Sequence, residues 1–181
     1  MKTLIFNGSP KIGGDTTALI DEFVKNLHGD VKIISCYDNI APCNDCRYCW
    51  NNRGCSIDDE MQNVYRYIEE CDNIVIASPI WFSSLSGTLL NLASRVQTYY
   101  QNKLITPNAK NGVIIIVGAQ KGTEVNPIAN ALTILKFMNV SRPVAATILS
   151  LDTDNVPAAE DTVALNQVHD AAMKLNKSTR F

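Results

Sequence analysis

The chain has 181 residues, enough to fold as one domain with a substantial core. Its apolar fraction of 46% and charged fraction of 19% are those of a globular protein rather than a disordered or fibrous one. A formal net charge of −2 removes the electrostatic case for nucleic acid or an anionic membrane as partner, and no apolar run approaches the length of a membrane span.

Short apolar runs alternate with helix-period segments along the whole chain. The first predicted strand covers residues 3–6. A loop rich in glycine and hydroxyl groups follows, NGSPKIGGDTT, and runs into a helix marked by Ala18, Leu19, Phe23 and Leu27. Glycines at 8, 13 and 14 allow backbone N–H groups to converge. Ser9, Thr16 and Thr17 add donors, and the helix N-terminus adds partial positive charge. That combination suits a phosphate monoester. The loop is not a Walker A motif, because Gly13 is followed by Gly14 and Asp15 instead of Lys and Ser or Thr.

The second predicted strand is residues 31–36. Beyond it lies PCNDCRYCWNNRGC, in which Cys43, Cys46, Cys49 and Cys55 are spaced C-x2-C-x2-C-x5-C. The start MKTLIFNGSP lacks the apolar core of a signal peptide, so the expected compartment is the cytoplasm, where thiols stay reduced. Four thiols packed this tightly there point to a metal centre, and the first three match iron–sulfur spacing. Two other readings stay open. One is zinc, whose paired knuckles usually stand a dozen or more residues apart. The other is redox-active thiols, with Arg47 lowering a thiol pKa in the Cys46–Cys49 pair. Cys36 and Cys71, at strand ends, read as small buried apolar residues.

Ser56 followed by Asp59 reads as a capping box for a second helix marked by Met61, Val64, Tyr65 and Ile68. The third strand is residues 73–77. Its following loop, Ser78 to Gly87, carries Pro79, Ile80, Trp81, Phe82 and Ser84, an aromatic platform able to cover a planar ligand. A third helix carries Leu85, Leu89, Leu92 and Val96. The fourth strand, residues 113–117, ends in a loop containing Gly118 and Gly122. A fourth helix (Ile128, Leu132, Leu135), a fifth strand at residues 144–149, an Asp152–Asp154 turn and a last helix (Leu165, Val168, Ala172, Leu175) complete the chain. His28 and His169 carry no metal pattern and read as surface residues.

Five strands alternating with five helices predict an α/β fold, a doubly wound five-stranded parallel sheet of order 2-1-3-4-5 in a three-layer sandwich. Ligands in such sheets bind beyond the carboxyl ends of the strands, where the three richest loops fall.

The chain resembles the flavodoxin-like NAD(P)H-dependent FMN reductases, and within them the iron–sulfur flavoproteins. NGSPKIGGDTTAL, PCNDCRYCWNNRGCSIDDEM and ASPIWFSSLSG carry the resemblance. It implies a single FMN-binding domain over residues 1–181, with residues 43–55 as a cysteine-rich insertion. Ser9, Lys11, Gly14, Thr16 and Thr17 would hold the FMN phosphate. Pro79, Ile80, Trp81, Phe82 and Ser84 would lie along the isoalloxazine, with Gly118 and Gly122 approaching the ring. The four cysteines would ligate a [4Fe–4S] cluster. Electrons would pass from NAD(P)H to a quinone, flavin or protein acceptor, in a homodimer or homotetramer, with no side chain needed as acid or base. A plain electron carrier is the alternative. Asp15 stands where the family more often has asparagine, and Trp81 where tyrosine is usual. Asn91 and Ser94 replace a common lysine and aspartate.

Overall fold

The computed structural model describes residues 1–101, 108–141 and 143–177. Within them, β1 (Lys2–Asn7), β2 (Asp30–Ser35), β3 (Asn73–Trp81), β5 (Asn111–Val117) and β6 (Ala146–Ser150) form a parallel sheet. The order is β2-β1-β3-β5-β6, and a two-residue strand β4 (Ser84–Leu85) pairs antiparallel with the end of β3. Counting the five parallel strands alone, this is the expected 2-1-3-4-5.

Strand periodicity sends alternate side chains to opposite faces. Leu4, Phe6, Ile74, Ile76, Ile114 and Ile116 point to one core. There they meet α2 (Met61–Glu70), α3 (Gly87–Ser94) and α5 (Val125–Phe137) through Val64, Ile68, Leu89, Leu92 and Leu135. Ile5, Val75, Ala77, Val113, Ile115 and Val117 point to the other. There they meet α1 (Asp15–Lys25) and α6 (Thr162–Lys177) through Leu19, Phe23, Val168 and Leu175. Both faces being covered explains why these strands read as continuous apolar runs.

Three local expectations change. The aromatic loop is largely strand. β3 continues to Trp81 and turns back into β4 through Phe82 and Ser83, whose φ values are +50° and +54°. Two positive φ values at the centre of a two-residue hairpin are those of a type I′ turn, which is strained for a side chain as large as phenylalanine. The third helix divides. It ends at Ser94, and a short α4 (Gln97–Gln101) follows. At the break Arg95 and Val96 bond back three residues instead of four, and the Tyr65 hydroxyl donates to the Arg95 carbonyl at 2.9 Å. The capping box does not form. Helix α2 begins at Met61 with no side-chain cap at Glu60, and Asp59 accepts the Met61 N–H. The Asp59 carboxylate is drawn instead to Arg95, and the Ser56 hydroxyl lies 3.2 Å from the Cys46 sulfur.

Gly8 closes the turn after β1 against the start of α3. A Cβ there would meet Ser86 Oγ at 2.8 Å, Ala77 O at 3.2 Å and Leu89 Cβ at 3.2 Å. Gly8→Ala is expected to lower stability by about 1–3 kcal/mol through overpacking, read as a lower denaturant midpoint. Gly87, beside which a Cβ would meet nothing within 4 Å, supplies the control. Gly87→Ala is expected to be neutral or to stabilise by up to about 1 kcal/mol.

Candidate functional site

Strands β1, β3 and β5 are neighbours, so the loops at their carboxyl ends meet along one edge of the sheet. Contacts join them directly. The Gly8 N–H donates to Ala77 O at 2.8 Å, and Gly8 lies against Ser86. Gly118 lies against Ile80, where an added Cβ would stand 2.9 Å from Cδ1.

The first loop is shaped by its own bonds. Asn7 Oδ1 accepts the Ser9 N–H, Ser9 Oγ accepts the Lys11 N–H, and the Lys11 carbonyl accepts the Gly14 N–H and the Thr17 hydroxyl. Gly13 takes a φ of +67°, which a side chain would resist. Gly14 is the N-cap of α1 and no side chain caps that helix. The first-turn amides, of Asp15, Thr16 and Thr17, are thus left for an anion. Asp15 does not obstruct them, because its Oδ1 accepts the Ala158 N–H at 2.8 Å and is turned toward that chain segment. It does so from the first helical turn. Thr16 is buried, Ser9 and Thr17 are half-buried, and Lys11 is exposed.

At the second loop Pro79 and Ile80 are half-buried, Trp81 is 46% exposed and Phe82 fully exposed. Ser84 Oγ meets the Asn130 amide at 3.5 Å. In the third loop Gly118 is buried, while Gly122 is exposed with a φ of +88°. The edge therefore offers a cradle for an anion beside an apolar shelf, as a flavin mononucleotide requires.

Cys43, Cys46, Cys49 and Cys55 line one small cleft, together with Tyr48, Trp50, Ile57 and Arg95. Burial raises the Cys49 thiol, and the neighbouring Cys55, Cys43 and Cys46 raise it further. Cys46 is lowered chiefly by the hydrogen bond with the Ser56 hydroxyl, then by the Tyr48 backbone. The largest causes of that shift do not include Arg47. Its guanidinium lies over the Trp50 ring at 5.0 Å and pairs with Asp45 at 3.7 Å. Among the described residues no three Cys, His, Asp or Glu side chains gather closely enough to hold a single metal ion. Cys36 and Cys71 are buried, and burial pushes their thiols up to about 12 and about 11.

Beneath the cysteine cleft is a pair that the sequence reading did not place. Arg95, 1% exposed, meets Asp59 through two bonds, Nη1 to Oδ2 at 2.7 Å and Nη2 to Oδ1 at 3.1 Å. Burial of Asp59 favours its neutral form. The Arg95 hydrogen bonds, the Ala41 N–H, the Arg95 charge and the Met61 N–H outweigh that and hold the carboxyl below its ordinary 3.8. A signal was present: Arg95 falls three residues after Leu92, on the apolar stripe of the third helix, where a cation demands a buried partner.

Because the Asp59 pKa is lowered on folding, its contribution to stability is fully present above the unfolded value, about 3.9. It is lost as pH falls through the lower folded value. Urea unfolding at a series of acidic pH values is expected to show that decline, and Asp59→Asn is expected to flatten it. Equal slopes in the two proteins would remove Asp59 as its source.

The chain is 25% identical over 186 residues to an iron–sulfur flavoprotein of Methanosarcina thermophila, covering 97% of this chain and 93% of that one. It is 36% identical over 98 residues to an iron–sulfur flavoprotein of Archaeoglobus fulgidus, covering 52% of this chain and 48% of that protein. In fold it superposes on an NAD(P)H:quinone oxidoreductase from Methanothermobacter marburgensis with a TM-score of 0.68. That likeness covers 99% of this chain and 97% of the other at 12% identity. No helix among the described residues is long and apolar enough to cross a membrane. Residues 1–149 match the family model described as NADPH-dependent FMN reductase, and the chain accordingly belongs to that family of FMN-dependent oxidoreductases, which draw their electrons from a nicotinamide nucleotide.

Proposed function

We propose that this FMN reductase also holds a [4Fe–4S] cluster on Cys43, Cys46, Cys49 and Cys55, and passes electrons from NAD(P)H to a quinone, flavin or protein acceptor in the cytoplasm. The observation that carries the reading is the position of α3. Its N-terminus, capped by Ser86, is packed against Gly8 of the first loop and follows the aromatic hairpin directly. At its other end Ser94 Oγ accepts the Cys43 N–H at 2.9 Å. Eight residues separate the two loops, about 12 Å of helix. An organic redox site and a thiol cleft at the two ends of one short, rigid element favour electron transfer between them.

Ser9, Lys11, Gly14, Thr16 and Thr17 hold the FMN phosphate through the free first-turn amides of α1 and the loop hydroxyls and ammonium. Pro79, Ile80, Trp81, Phe82 and Ser84 support the isoalloxazine, and Gly118 and Gly122 keep the third loop free of side chains beside it. When bound, FMN supplies hydride acceptance and one- or two-electron release, and the cluster supplies single-electron steps. The residues of this chain bind, orient and keep water from the ring; none is assigned a proton transfer. Each thiolate of a cubane cluster takes its own iron, so the sulfurs need only ring a cleft. Zinc would need all four within about 2.3 Å of one ion. Exposure of Phe82 and of Ile12, which is 99% exposed within the first loop, supports a homodimer or homotetramer that covers them.

Protein prepared without oxygen is expected to contain one FMN with about four iron and four sulfide per chain. Flavin without iron would overturn the cluster and leave a simple flavin reductase. Cys49→Ser is expected to abolish iron binding and leave the flavin in place. Ser9→Ala/Thr17→Ala is expected to weaken FMN binding about tenfold, or about 1.4 kcal/mol, by fluorescence titration, with iron content unchanged.

A further inference from the structure

The cysteine loop has almost no regular structure of its own. Between β2 and α2 it forms a single 3-10 turn, Tyr48–Trp50, and Asp45, Arg47 and Gly54 all take positive φ. Its shape is imposed from the corner between α3 and α4. Ser94 Oγ accepts the Cys43 N–H, and Thr98 Oγ1 donates to the Gly54 carbonyl at 3.1 Å. Arg95 does more, because it reaches both ends of the loop at once. Nη1 donates to the Ala41 carbonyl at 2.8 Å, two residues before Cys43. Nη2 donates to the Ile57 carbonyl at 3.3 Å, two residues after Cys55. Asp59 completes the closure by accepting the Ala41 N–H on Oδ2 at 2.9 Å.

One donor of this arginine is left over. Arg95 Nε is buried and makes no hydrogen bond. A buried N–H without a partner is costly, and Arg95 lines the cleft that contains all four cysteines. The sulfurs of Cys43, Cys46, Cys49 and Cys55 line that same cleft.

We propose that the buried Arg95–Asp59 pair is a staple that closes the base of the cysteine loop, and that Arg95 is a positioning residue for the metal centre, with its free Nε–H donating to sulfur in the loaded site. The second part rests on the cluster reading above; the first does not. Arginine is needed for its planar fork, which bonds one carboxylate and two carbonyls together. Lysine carries the charge without that geometry. A hydrogen bond to cluster sulfur raises the reduction potential, because it stabilises the more negative reduced state.

The test uses the full chain with FMN bound. Trypsin cuts after Arg47 and Arg53, both exposed and inside the loop. In iron-free protein, Arg95→Lys is expected to be nicked at these two sites at least tenfold faster than wild type, with FMN still bound. Arg95→Met/Asp59→Leu removes both charges together, which avoids stranding one of them in the core, and decides the matter if the single variant does not fold. It is expected to be nicked equally fast. Nicking at the wild-type rate in the folded variant would overturn the staple.

In protein loaded without oxygen, either variant is expected to hold less than half the wild-type iron and sulfide. The cluster that remains should have a lower midpoint potential by EPR-monitored titration. Wild-type iron content and potential would overturn the positioning role. A wild-type protein without iron would overturn both the cluster reading and that role, and the nicking rates would still decide the staple.

Discussion

Burial of β1, β3 and β5 on both faces is the constraint from which the rest of the molecule follows. Leu4 and Phe6 face one core while Ile5 faces the other, and the same division holds for Ile74 and Ile76 against Val75, and for Ile114 and Ile116 against Ile115. Such strands can only be covered by helices on each side, and those helices are reached by crossovers that leave the carboxyl edge. The loops that follow these three strands are therefore forced into register with one another. Gly8 and Gly118 are small because this crowding leaves no room for a Cβ against Ser86 and Ile80.

The helix α3 converts that constraint into a spatial relation between two kinds of chemistry. Its start is fixed by the Ser86 cap and by the Ser78 hydroxyl, which accepts the Ser86 N–H at 3.0 Å. Its end is fixed by the pull of Arg95 into the interior and by the Tyr65 hydroxyl on the Arg95 carbonyl. A helix tied at both ends carries little play. The loops after β1, β3 and β5 belong to the sheet edge and the thiol cleft to the helix corner, so each is held by a different part of the fold.

The cysteine loop shows how an irregular segment is held without a core of its own. Its side chains are mostly exposed, and its backbone groups are met instead by Ser94 and Thr98 on α3 and α4, by Arg95 at the break between them and by Gln62 on α2. Gln62 Nε2 donates to the carbonyls of Cys55 and Ile57, and the second of these also accepts from Arg95. The aromatic hairpin is held differently. Phe82 and Ser83 occupy left-handed backbone at a turn, and the strand pairing on either side sustains that strain.

Much of this was legible in the amino-acid sequence. The apolar runs and helix periods specify the parallel strands, their order and the edge to which their loops project, because periodicity and chain connectivity are local facts with few topological solutions. The glycine and hydroxyl loop, the four cysteines and the adjacent aromatics are likewise local. Ser56 and Asp59 were misread as a cap because a capping box is defined by spacing alone, whereas the carboxylate answers to the strongest partner within reach. That partner is Arg95, thirty-six residues away in the chain. The break between α3 and α4 and the turning of Asp15 toward Ala158 have the same origin. Each depends on a group brought near only by folding, and the energy of an ion pair or hydrogen bond is set by distance and burial, which no spacing in a sequence records.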